Sequence, residues 1–116
     1  MLALNFISSH NKMLLTARQK TATIRLGDVT DAYPENSVVW ITYGNKYGPK
    51  TKLYSAMIDR TIVKRFSDIT TEELKHQNPD LTSVEELIRV FEAIYEKKKI
   101  YIDDTVTIIH FSEIIE

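Results

Sequence analysis

The sequence contains no cysteine, which excludes disulfide bonds, thiolate catalysis and cysteine-ligated zinc. Its three glycines form neither a Walker loop nor a dinucleotide-binding fingerprint. The three histidines, His10, His76 and His110, lack paired ligand spacing, so no metal centre and no cofactor is expected. Hydrophobic runs are short, and none approaches the length of a membrane span. Residues 1–7 are apolar but have neither the basic lead-in nor the small-residue cleavage pattern of a signal peptide. These absences point to a cytoplasmic protein with no membrane partner.

What remains has the composition of an ordinary globule, 43% hydrophobic and 27% charged, and its 116 residues suit a single domain spanning 1–116. The net charge is −1, yet it is unevenly spread. Residues 1–66 hold ten Lys or Arg against four acids, a net of +6, and residues 67–116 hold five against twelve, a net of −7. Such asymmetry suits an anionic partner for the basic half, and equally a solvated basic sheet beside acidic helices.

Patterning gives a sequence of short elements. Leu2, Leu4 and Phe6 alternate as a first strand, and Ser8 or Ser9 caps a helix over residues 10–18 with Arg18 in its last turn. A strand starting at Thr21 places Thr21, Thr23 and Arg25 on one face and Ala22 and Ile24 on the core face, with Lys20 in the preceding turn. Residues 37–43 read as a buried strand, and residues 51–66 as a long strand or strand pair bent near Asp59. Thr70 with Glu73, and Ser83 with Glu86, form two capping boxes. The first opens a short helix through Lys75. The second opens a helix striped by Leu87, Val90, Phe91, Ile94 and Tyr95 and closed by Lys97, Lys98 and Lys99. Residues 100–102 and 106–111 supply the last strands.

The densest chemistry lies in residues 18–25, where Lys20, Thr21, Thr23 and Arg25 can all donate hydrogen bonds to an oxyanion. The same residues also suit a solvated strand face, since threonine is a common strand former and exposed strands carry cations for solubility. Trp40 and Tyr43, and the loop holding Lys46 and Tyr47, can stack bases and pair phosphates, or serve as packing and ordinary hairpin flanks.

A Leu-Leu pair, a short turn and then Lys20-Thr21-x-Thr23-Ile24-Arg25 resembles the signature of ASCH domains. Val63-x-x-Phe66-x-Asp68-Ile69-Thr70 resembles the strand-to-helix junction of the same family. The resemblance runs from about residue 6 to residue 111 and implies an α+β fold, a PUA-like mixed β-barrel with flanking helices. It further implies an RNA, nucleoside or nucleotide ligand, with Thr21, Arg25, Trp40, Tyr43, Lys46 and Tyr47 as candidate binding residues. The family commonly has a glycine just before the Lys-Thr pair, where this chain has Arg18-Gln19.

Some ASCH proteins are small amidohydrolases that remove the acetyl group of N4-acetylcytidine with a Lys, a Thr three residues later and a Glu before the second capped helix. Lys20 and Thr23 match that set, and Asp80 is the nearest acid to the Glu. By this resemblance Thr23 is the nucleophile, Lys20 the base and Asp80 the acid. A lysine of pKa ~10.4 must drop by roughly 3 units to act as a base near neutrality, about 4 kcal/mol that burial or Arg25 has to impose. A charged Lys20 that binds an anion needs no such shift. A non-catalytic interaction module is the third reading.

Overall fold

In the computed structural model, which describes residues 2–95 and 99–115, five strands form one mixed sheet that curls into a half-barrel. The elements in chain order are β1 (Ala3–Phe6), α1 (Ser9–Thr16), β2 (Ala22–Leu26), β3 (Val38–Gly44), β4 (Lys50–Arg65), a single 3-10 turn (Phe66–Asp68), α2 (Thr71–Gln77), α3 (Val84–Ile94) and β5 (Thr105–Glu113). The strand order is β1-β3-β4-β5-β2. β1 runs parallel to β3, and every other neighbouring pair is antiparallel. Among the described residues no helix is long and apolar enough to cross a membrane.

β5 is the axis of this arrangement because both of its faces are buried. Val106 and Ile108 join Ala22, Ile24, Leu74, Leu87 and Phe91 in a core beneath α2 and α3. Ile109 and Phe111, on the opposite face, join Leu4, Phe6, Leu15, Val39 and Ile41 inside the half-barrel, next to α1. Register then fixes the site strand. Ala22 and Ile24 face the helices, while Thr23, opposite Ile109, and Arg25, opposite Thr107, face the hollow of the sheet.

The bend expected near Asp59 is a register shift between Ile58 and Arg60 within one continuous β4. Three other expectations are corrected. β3 is buried on one face only: Val39 and Ile41 point inward, whereas Val38 and Trp40 are exposed on the outer face. Residues 100–102 are loop, held by the Ile100 amide donating to Glu92 Oε2 at 2.8 Å and by Ile100 packing in the helix-side core. The second capping box is half made. Ser83 Oγ accepts from the Glu86 amide, but the Glu86 carboxylate accepts from the Thr82 hydroxyl. Lys97 and Lys98 lie outside the described residues.

α1 is capped by Ser8 and ends at Thr16, two residues earlier than its pattern suggests. Arg18 lies beyond it in the left-handed region, at φ 61. The Arg18 amide donates to Leu15 O and the Gln19 amide to Leu14 O, the paired bonds of a Schellman turn, whose left-handed position usually carries glycine. A side chain there costs about 1 kcal/mol, and here it has compensating partners. The guanidinium is bidentate on Glu113 at 2.8 and 2.9 Å, donates to the Leu15 and Thr16 carbonyls and lies 4.0 Å from the Tyr54 ring centroid.

The Thr70 box at α2 is complete. Glu73 Oε1 accepts from the Thr70 amide at 2.8 Å and from Lys64 Nζ at 2.9 Å. Burial pushes its carboxyl up, and those two donors outweigh burial to hold it below the usual range. Glu73→Ala is expected to lower the unfolding free energy by about 1–2 kcal/mol at pH 7, measured by urea denaturation. A depressed carboxyl stabilises above its unfolded pKa of ~4.3 and loses that contribution as pH falls through the folded value, so the two proteins converge below about pH 4.

Candidate functional site

The two ends of the sheet, β1 and β2, face each other without a ladder between them, and the seam opens into a cleft of about 680 Å³. Side chains occupy the exposed strand edges. The Ile24 amide donates to Gln77 Oε1 at 2.9 Å and the Leu26 amide to the Tyr95 hydroxyl at 3.2 Å. Just before β2, the Thr21 amide donates to His76 O at 3.1 Å. Arg25 crosses the gap, with Nη2 donating to Asn5 O at 3.2 Å. An edge strand left bare is a template for unwanted pairing, and here the C-terminus of α2 and the tip of α3 cover it.

Lys20 sits at the inner end, 1% exposed. Its Nζ donates to both Gln77 O and Gln77 Oε1 at 2.7 Å, and lies 5.4 Å from the Phe6 ring centroid, which also carries the Arg25 guanidinium at 5.2 Å. Burial, and then the Arg25 charge, push the amine well below the ordinary lysine value. Thr23 is 3% exposed and lines the cleft. Arg25 Nε is buried and unpartnered among the described residues. The β3–β4 turn brings Lys46, Tyr47 and Lys50 to the mouth. Its base is close-packed: a Cβ on Gly44 would sit 2.3 Å from Pro49 O, and Asn5 Nδ2 donates to Gly44 O at 3.0 Å. Phe91, Ile94 and Tyr95 of α3 complete an apolar wall.

Five of the sequence candidates therefore meet in one cleft: Lys20, Thr23, Arg25, Lys46 and Tyr47. Four do not. Thr21 is exposed and precedes the strand, its backbone pinned between His76 O and the Phe111 amide. Trp40 is 38% exposed on the outer face, with Lys52 Nζ 4.8 Å from its ring centroid, because alternation along β3 sends it away from the core. Tyr43 lies at the end of β3 beneath Lys12 and does not line the cleft. Asp80 is exposed, with Oδ2 2.9 Å from His10 Nε2, and among the described residues that line the cleft there is no acid.

The residue against Lys20 is Gln77, an amide, in a segment that reads from sequence as polar loop and is in fact the last turn of α2. Pattern also missed the cleft's α3 wall. The stripe of α3 buries Leu87 and Phe91, but Ile94 and Tyr95 at its end are partly exposed and face the opening.

An amine whose folded pKa lies below its unfolded one makes stability depend on pH. Between the lowered folded pKa and ~10.4 the unfolded chain binds the extra proton, so this group makes stability rise with pH, by up to about 1.4 kcal/mol per unit. Lys20→Met abolishes that rise. Its stability relative to wild type is expected to fall as pH rises from 7 towards 10 in urea denaturation, and parallel profiles would refute the lowered pKa.

No family model matches the chain, and a search of curated proteins found no match. Among solved structures, an ASCH domain from Lactobacillus crispatus JV V101 is similar with a TM-score of 0.68 and 10% identity, over 96% of this chain and 77% of that one. The hypothetical protein PH0355 gives 0.67 and 16%, over 97% of each. Protein EF3133 from Enterococcus faecalis V583, a DUF984 protein, gives 0.66 and 18% over 88% of this chain, which spans 65% of the length of that relative. The chain thus has the α+β, PUA-like fold of an ASCH domain, with Lys20, Thr23 and Arg25 in the open seam of its half-barrel.

Proposed function

We propose that the cleft is an anion-recognising site for RNA or a nucleotide. The observation that carries this reading is its charge. Arg25, Lys46 and Lys50 line the cleft with no carboxylate among the described lining residues, and Arg25 Nε is buried with a donor to spare. A buried N–H with no acceptor is costly, and a phosphate oxygen would satisfy it. Phe6, Tyr47, Phe91 and Tyr95 add aromatic surface suited to a base. The ASCH fold is in keeping with that ligand class.

One observation favours amide hydrolysis as a second reading: Lys20, whose burial pushes its amine well below the ordinary lysine value, lines the same cleft as the Thr23 hydroxyl. Such an amine can accept the Thr23 proton as its oxygen attacks an acyl carbon. The missing acid weighs against it.

Binding of a short labelled single-stranded RNA, followed by fluorescence anisotropy, should weaken with salt at a log–log slope of about −2, as expected for roughly three phosphate-pairing cations. Arg25→Gln should lower affinity roughly tenfold or more, and Asp80→Asn should leave it unchanged. Affinity indifferent to both salt and Arg25 would sink the reading. Cytidine released from N4-acetylcytidine by the wild type, and lost in Thr23→Ala, would establish the hydrolytic reading in its place.

A further inference from the structure

The inner end of the cleft holds a buried amine with two uncharged acceptors and, among the described residues, no third. Lys20 Nζ has two acceptors, Gln77 O and Gln77 Oε1, both dipoles without net charge. A neutral amine has two N–H groups, and both are engaged. An ammonium has a third, and among the described residues nothing accepts it. Among the described residues that line the cleft none supplies a counter-charge. β1 offers Asn5 and Phe6; β2 offers Thr23 and the cation Arg25; α1 offers Asn11; α2 offers Gln77; α3 offers Tyr95; the β3–β4 turn offers Lys46, Tyr47 and Lys50.

We propose that the cleft takes up one proton, onto Lys20, for each anion it binds. The proposal rests on the anion-site reading given above. An anionic oxygen lodged beside Thr23 and Arg25 provides both missing elements, an acceptor for the third N–H and a negative charge opposite Arg25. Lys20 then becomes an ammonium ion, with the proton drawn from solvent. The arriving negative charge and the added proton cancel, so the inner cleft keeps its net charge as it is closed off from water.

The consequence is a coupling between affinity and pH that permanently charged side chains would not produce. Where free Lys20 is uncharged, affinity should weaken as pH rises, by up to about tenfold per unit. Arg25, Lys46 and Lys50, were they alone responsible, would give a flat profile between pH 6.5 and 9.

The test is calorimetric titration with the dinucleotide cytidylyl-cytidine, whose phosphodiester and bases do not titrate in that range. Repeated in buffers of different ionisation enthalpy at pH 8, the wild-type heat should vary linearly with that enthalpy, with a slope of about one proton. Lys20→Met should bind more weakly with no buffer dependence. Gln77→Glu places a carboxylate against Nζ, protonates Lys20 in advance, and should reduce uptake to near zero. Wild-type binding with the same heat in every buffer, or uptake that persists in Lys20→Met, overturns the proposal. If the dinucleotide fails to bind at all, the anion-site reading is overturned and the proposal with it.

Discussion

A sheet that stops short of closing leaves unpaired backbone at both ends, and the way this chain satisfies one of those edges organises its surface chemistry. The Gln77 side chain accepts from the Ile24 amide as a neighbouring strand would, and the same oxygen accepts from Lys20. That single amide holds the edge of β2, the end of α2 and the buried amine in one arrangement. Were β1 and β2 laddered together, the groups now lining the cleft would be spent on strand pairing. The opening is therefore a product of incomplete closure, shaped by side chains that stand in for a missing strand.

Much of this was legible in the sequence, for identifiable reasons. Alternation around Thr23 and Arg25 gave the correct faces because Ala22 and Ile24 are truly apolar and β5 buries them. The Thr70–Glu73 pair announced α2, and the bend at Asp59 was visible as a change of phase. What failed depended on contacts remote in sequence. Asp80 was placed by proximity to a motif, but its carboxylate turns to His10 across the surface. Gln77 carries no periodic signal, and only the packing of α2 against β2 brings it to Lys20. Trp40 looked like core or rim, yet at β3, where only the inner face is covered, alternation alone sends it outward.

The helix stripe of α3 shows a subtler limit. Its spacing reports which residues share a face, but not how far the neighbouring core extends along that face. Leu87 and Phe91 reach apolar partners, while Ile94 and Tyr95 overrun the end of the sheet and become wall. A continuous apolar stripe on a short helix can thus serve stability over its first turns and recognition over its last.

The pairing of Arg18 with Glu113 joins residues 95 apart in the chain, and β2 itself is laddered only to β5. The turn that delivers Lys20 is thereby anchored to the final strand. During synthesis the basic half emerges first with all its cations, but the scaffold that orients them arrives last. Folding of the cleft is then a late, high-contact-order event. A fragment holding residues 1–66 would keep the positive charge without the recess, so the charge belongs to the sequence alone and its arrangement around a cleft to the whole fold.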